Sequence, residues 1–342
     1  MKEIDPTEFD LIQFIRDQDR VEDKAIVRSI GDDCAVWRSH PSVQYLVSTD
    51  LLVEEVHFRR QWISPRFLGR KAFLVNLSDL AAMGARPFCC LLSLSLPACL
   101  TGSFFEEVIA GFRRECKQNK TTLVGGDLSS GREIQISVTI IGTVESGSPV
   151  YRSAAKPGDH IFLIGNPGRA QAGLEYLQGC SPVGLDSVSS REELRHWAGK
   201  GPELEWLTAH LVPEIPLEPA AWLRENHLVN AMIDSSDGLG NDLCHILKES
   251  GLTGEILLDQ LPKIAGIRDR RRWKRLVLDG GEDYCLLGTC DSEQARRIHE
   301  RYPASFPEPR WIGRLQPGKP RLLVVDRGQK ELYRRKGFDH FT

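Results

Sequence analysis

Several absences narrow what this chain can do. No stretch approaches the ~20 consecutive apolar residues that a membrane-spanning helix needs. Neither sign of charge dominates: 44 lysines and arginines are mixed with 47 aspartates and glutamates, a net of −3. That balance leaves no electrostatic footprint for nucleic acid or an anionic membrane surface. The nine cysteines, at 34, 89, 90, 99, 116, 180, 244, 285 and 290, form no Cys-x-x-Cys and no zinc spacing. Most have apolar neighbours, as in Phe88-Cys89-Cys90-Leu91, and read as small core residues of a reducing compartment. The first residues, Met1-Lys2-Glu3-Ile4-Asp5, carry no apolar h-region, so a cytoplasmic location is expected. The Gly-x-x-x-x-Gly-Lys-Ser/Thr loop, the Gly-x-Gly-x-x-Gly turn, the His-Arg-Asp loop and the nucleophile elbow are all missing. Nucleotide chemistry would need a less common architecture.

What is present is an ordinary globular composition, 41% hydrophobic and 27% charged over 342 residues. That length suits about two domains with full cores. Apolar spacing predicts helices over 9–17, 66–83, 105–116, 170–177 and 239–247. Gly84 would end the second of these, and Ser103 with Glu106 would cap the third as a capping box. Alternation or short apolar runs predict strands at 44–49, 92–96, 121–124, 134–140, 161–164 and 284–288, while 227–233 leads into the last aspartate cluster. Strands mix with helices without regular βαβ alternation, which favours α+β. The turn Ala155-Lys156-Pro157-Gly158-Asp159 places a boundary nearby, giving domains 1–150 and 151–342. Residues 181–203 read as a polar surface insertion.

Seven aspartates stand beside Gly, Ser or Thr: Gly31-Asp32-Asp33, Ser48-Thr49-Asp50, Ser78-Asp79, Gly125-Gly126-Asp127 and Asp234-Ser235-Ser236-Asp237-Gly238. Carboxylates with small neighbours suit hard, oxygen-seeking cations such as Mg²⁺. Several such cations in one protein suit polyphosphate chemistry. Each cluster also has a plainer reading, as a solvated turn or a helix cap. Asp79 resists it most, because it is predicted inside an otherwise apolar helix, where an unpaired carboxylate is costly. His57 could contact a phosphate, though a lone histidine is more often structural. Gly165-Asn166-Pro167-Gly168 looks like a phosphate-cradling turn, but a simple strand–helix turn is the commoner reading of such a sequence.

Taken in order, these pieces resemble the thiamine-monophosphate kinase family, within the aminoimidazole ribonucleotide synthetase-like superfamily. The match runs through Gly31 to Ala35, Ser48 to Asp50, His57-Phe58, Asn76 to Ala85, Gly125 to Asp127, Lys156 to Asp159, Asp234 to Leu239, Gly280 to Tyr284 and Lys336 to Phe341. The Asn76–Ala85 helix motif and the tail are the family-specific parts. The resemblance implies ATP-dependent phosphorylation of thiamine monophosphate to thiamine diphosphate, with several Mg²⁺ ions. It also implies a homodimer, in which an N-terminal α/β domain forms a shared sheet or barrel, followed by a C-terminal α+β domain. Under it, Asp33, Ser48, Thr49, Asp50, Asp79, Asp127, Asp234 and Asp237 are metal ligands. Gly126, Asp127, Arg152 and Ser236 contact ATP, while His57, Glu282 and Phe338 contact the thiamine phosphate. Asp50, Asp127 and Asp234 carry the catalytic weight.

Two positions depart from the family pattern. Leu128 replaces a hydroxyl residue after Gly-Gly-Asp, and Leu217 stands where an arginine is usual after His210-Leu211-Val212-Pro213. Relatives that use a reactive cysteine are disfavoured, since the first cysteine is Cys34 and none follows Cys290. The alternative from another class is a nucleotide-binding regulator that has lost catalysis on the same fold.

Overall fold

The structure is a computed structural model, and it describes residues 14–15, 17, 24–28, 36–145, 148–180 and 183–334. Asp33, with the Gly31–Ala35 turn, and Phe338, with the tail, lie outside the described residues. The chain forms two compact units. One comprises Met1–Leu77, Arg86–Gly147 and Ser181–Trp197; the other comprises Ser78–Ala85, Ser148–Cys180 and Ala198–Thr342. A single cut at 150 would therefore misassign two segments.

In the first unit, β1 (Ile26–Arg28) pairs with β2 (Val36–Trp37) as a short ribbon. The main elements are β3 (Val43–Val53), α1 (Pro65–Ala82), β4 (Arg86–Leu96), α2 (Ser103–Gln118), β5 (Thr122–Ser130) and β6 (Gln135–Glu145). The sheet order is β3-β6-β4-β5, with β4 and β5 parallel and the other pairs antiparallel. Leu52, Ile136, Leu94 and Leu128 pair across it as one buried row. Leu128 thus serves the core here. Helices α1 and α2 meet backbone to backbone at two glycines: a Cβ on Gly69 would lie 1.9 Å from the Val108 carbonyl oxygen, and one on Gly111 2.0 Å from that of Arg66. Gly84, at φ +67, ends the α1 segment in the left-handed region, as its position in the sequence predicts.

The second unit adds β7 (His160–Ile164) and α3 (Arg169–Gly179). Next comes α4 (Arg191–Ala198), most of which belongs to the first unit. It is followed by α5 (Glu203–Leu211), α6 (Leu217–Glu225), β8 (Ala231–Ser235), α7 (Leu239–Ser250), β9 (Leu252–Leu257) and α8 (Arg270–Asp279). Then come β10 (Cys285–Cys290), α9 (Ser292–Arg301), β11 (Arg310–Pro317), β12 (Arg321–Asp326) and β13 (Gln329–Leu332). Seven strands run in the order β13-β12-β9-β11-β7-β10-β8, and only β9 and β12 pair in parallel. Ile161, Leu163, Ile233, Leu243 and Leu276 anchor the core between this sheet and its helices. Both units mix helices with sheets, in keeping with the α+β expectation.

Four local expectations need correction. Asp50 does not end a strand: β3 pairs with β6 over its whole length, through Asp50 to Val53. Gly125-Gly126-Asp127 is not a turn after a strand, because β5 continues through it to Ser130. Ser103 makes no cap; Gly102 occupies the N-cap of α2, with no side-chain hydrogen bond there. The 181–203 region is not merely a solvated loop, since Leu185 and Leu194 are fully buried in it.

Candidate active site

Strand register sorts the first unit's candidates by face. Residues paired across strands share a face and neighbours along a strand alternate. Ser48 and Asp50 therefore lie on the Val138–Leu92 side, and Thr49 on the other. The Ser-Thr-Asp trio is thus not one donor surface. The Thr49 hydroxyl donates to the Val138 carbonyl at 3.0 Å and accepts from the Thr139 hydroxyl at 3.2 Å. Asp127 shares a level and a face with Ser93, Ser137 and Leu51. Asp50 and Asp127 consequently project from opposite faces, on the two edge strands. Gly126 has φ +157, and a Cβ there would lie 1.8 Å from the Leu92 carbonyl oxygen. Only glycine fits.

Buried Asn76, on α1, fixes Asp50 from below. Its Oδ1 accepts the Asp50 amide at 2.9 Å, while its Nδ2 donates to the Ala72 carbonyl at 3.0 Å. His57 is oriented by its own turn: the Val53 amide donates to Nδ1 at 3.0 Å. With Nδ1 accepting, the neutral ring carries its proton on Nε2, a donor suited to an anion.

The second unit brings Asp79, Asp234, Asp237 and Arg152 into one electrostatic group. Asp234 sits in the last turnward part of β8 and is 5% exposed. Ser78 donates its hydroxyl to Asp234 Oδ2 at 2.8 Å. Burial, and then the negative charge of Asp79, push the Asp234 carboxyl up to about 7, against the opposing pull of Ser78 and the Arg152 guanidinium. Asp242, on the first turn of α7, is pushed up to about 8 by burial and by Asp234 and Asp237. Its Oδ2 accepts the Asp237 amide at 3.2 Å. Asp79 is half-buried and Asp237 exposed, so this group grades from the interior to solvent. Arg152 lies in a 3-10 turn (Arg152–Ala154), whose Arg152 carbonyl accepts the Ser250 hydroxyl at 2.9 Å.

Among the described residues, no three His, Cys, Asp or Glu side chains are already set to hold one metal ion. The donor chemistry nonetheless fits a hard divalent cation. Asp79, Asp234 and Asp237 are oxygen donors whose mutual repulsion a cation would relieve.

The Gly280–Tyr284 loop lies against the same turn. The Glu282 amide donates to the Ser236 carbonyl at 2.7 Å, and the Tyr284 amide to that of Ser235 at 2.8 Å. His210 Nδ1 is 3.1 Å from Glu282 Oε2. Buried Asp283 accepts the amides of Gly168 and of Ala170, the latter at 2.8 Å. The Gly168 amide, at the end of the Gly165–Gly168 turn, is therefore taken by a carboxylate of the chain itself. Sequence reasoning missed Asn76, Ser78, His210, Asp242 and Asp283. Ser78, Asn76, His210 and Asp283 stand inside the quoted motifs without a role assigned to them, while Asp242 needed the fold to bring it in.

Residues 31–144 match the family model "AIR synthase related protein, N-terminal domain". The thiamine-monophosphate kinase of Haemophilus influenzae is 34% identical over 342 aligned residues, 98% of each chain. Among solved structures, the thiamine-monophosphate kinase of Stenotrophomonas maltophilia is 31% identical, with a TM-score of 0.79 over 92% of this chain and 94% of that one. The structure described as AaThiL complexed with AMPPCP and TMP is 32% identical, with a TM-score of 0.72 over 98% of this chain and 97% of that one. With relatives at this identity along its whole length, the chain belongs to the thiamine-monophosphate kinase family.

Proposed function

We propose that the protein transfers the γ-phosphoryl group of ATP to the phosphate of thiamine monophosphate, forming ADP and thiamine diphosphate. The observation that carries this reading is the 98% coverage by a relative crystallised with AMPPCP and TMP. A phosphate monoester has its second pKa near about 6, so the acceptor oxygen is already anionic at neutral pH and needs no general base. The barrier is repulsion between two phosphates. When bound, Mg²⁺ supplies the positive charge that offsets it.

The chain's own groups then divide the work. Asp79, Asp234 and Asp237 in the second unit, and Asp33, Ser48, Thr49, Asp50 and Asp127 in the first, are the proposed metal ligands. Thr49 enters this set through its backbone carbonyl, since its hydroxyl is engaged within the sheet. Gly126, whose missing Cβ makes room for the Leu92 backbone, would meet the nucleotide through its own backbone, and Asp127, Arg152 and Ser236 complete the ATP contacts. His57, through Nε2–H, with Glu282 and Phe338, receives the thiamine phosphate. A homodimer is proposed through the outer face of the four-stranded sheet, where Val47 is 65% and Leu51 49% exposed. A cytoplasmic location accords with the composition.

The test is a reaction with ATP, Mg²⁺ and thiamine monophosphate, with both products quantified. Equal amounts of ADP and thiamine diphosphate are expected, with inversion at a chiral γ-phosphorus. AMP as product, or ADP without thiamine diphosphate, would overturn the activity. Retention at phosphorus would overturn the direct transfer.

A further inference from the structure

We propose that His210 and Asp283 are positioning residues that present Glu282 to the phosphate acceptor, an inference resting on the reading that this acceptor is thiamine monophosphate. Neither residue touches a reacting atom. Asp283 acts through the Gly280–Tyr284 loop and His210 through the Glu282 side chain.

The loop is held in a conformation it would not adopt alone. Glu282 has φ +64 and Tyr284 φ +49, two non-glycine residues in the left-handed region on either side of Asp283. Such backbone persists only where its surroundings over-determine it. Here two attachments do so. The flanking amides of Glu282 and Tyr284 bond to the Ser236 and Ser235 carbonyls, which fixes the loop to the turn carrying Asp234 and Asp237. Between them, Asp283 points the opposite way and accepts the Gly168 and Ala170 amides at the start of α3. The preceding Gly281 is packed so closely that a Cβ would lie 2.8 Å from the Ser236 carbonyl oxygen.

A further contact, made by His210, is not needed to hold the backbone. Asp283 and the two amides already anchor the backbone. His210, 6% exposed on α5, places its Nδ1 3.1 Å from the Glu282 carboxylate. That close approach, which lies outside hydrogen-bond geometry, restrains the side chain rather than the loop. The Glu282 side chain remains 28% exposed, so one carboxylate oxygen is directed and the group stays within reach of a ligand. Thiamine carries a permanently cationic thiazolium ring and an amino-pyrimidine, both of which favour an oriented carboxylate. A glutamate fixed in advance does not lose its rotamer freedom on binding, which strengthens the complex.

The experiment compares wild-type protein with His210→Ala, His210→Asn and His210→Phe, reading steady-state kinetics for each substrate, thiamine monophosphate binding by calorimetry, and melting temperature. His210→Ala should raise KM and Kd for thiamine monophosphate about tenfold, the effect of one immobilised side chain, while KM for ATP and kcat change less than about threefold. His210→Asn places an amide N–H near the Nδ1 position and should recover most of the loss. His210→Phe keeps the bulk of the ring without the Nδ1 contact and should reproduce the His210→Ala pattern, which serves if His210→Ala does not fold. Unchanged acceptor affinity in folded variants, or equal loss for both substrates, overturns the inference. Wild-type protein that forms no ADP with thiamine monophosphate sinks the acceptor reading and this one together. Active wild-type protein with indistinguishable variants sinks this one alone.

Discussion

A carboxylate taken out of water keeps its proton unless something positive arrives, and Asp234 is such a group. Its carboxyl is raised to about 7 by burial and by Asp79, with Ser78 and Arg152 only partly offsetting them. A bound cation would favour the ionised form, so protons should leave as metal enters. Titrating Mg²⁺ into weakly buffered protein at pH 6 should release protons, and Asp234→Asn should reduce that release. The same substitution should lower kcat by at least about 10²-fold, as expected for losing one electrostatic stabiliser. Asp50→Asn should act similarly in the kinetic assay. Near-normal turnover in both variants would remove these residues from the mechanism. No side chain in the sequence announced the partnership of Asp234 with Ser78, because 156 residues separate them.

At the scale of elements, the readable parts were those with a clean period. The α1 segment was legible because its apolar spacing is helical and Gly84 stops it; β6 was legible because Ile136, Val138 and Ile140 alternate with polar residues. Reading failed where glycine was taken as punctuation. Two glycines in succession usually mark a turn, yet Gly125 and Gly126 lie inside β5, where Gly126 passes close to the Leu92 backbone. Cap reading failed at Ser103 for a different reason: the helix begins one residue earlier than a serine cap requires, with Gly102 in the N-cap. Of the candidate site, the aspartates were visible as motifs, but their faces were not. Those depend on register, which a sequence does not state. Gly126→Ala puts a methyl group where a carbonyl oxygen lies 1.8 Å away. It should destabilise the protein by more than about 2 kcal/mol, in line with overpacking plus strain, as measured by urea unfolding.

The whole molecule should respond to pH through its buried acids. Asp283 is raised to about 7 by burial, even though it accepts several backbone amides. Below about pH 4 it is protonated both folded and unfolded. Between there and about 7 the folded state holds a proton that the unfolded chain has released, so stability falls as pH rises through that window. In metal-free solution the wild-type protein should therefore lose stability from pH 5 to pH 8. Asp283→Asn, which cannot ionise, should lose less, so the gap between the two proteins narrows with rising pH. A constant gap would show that Asp283 is ionised throughout. Assembly is testable at the same scale. Leu51→Asp places a charge on the exposed sheet face and should shift a dimer toward monomer in light scattering, leaving the mass unchanged if that face is not the interface.

The interleaved assignment of Ser78–Ala85 bears on any attempt to dissect the polypeptide. A fragment starting near residue 148 would look complete by length, with its seven-stranded sheet intact. It would nevertheless arrive without Ser78, whose hydroxyl serves Asp234, and without Gly84, whose carbonyl accepts Arg224 Nε at 3.0 Å. Supplying that eight-residue stretch as a peptide, or grafting it ahead of residue 148, is the complementation that such a fragment would require.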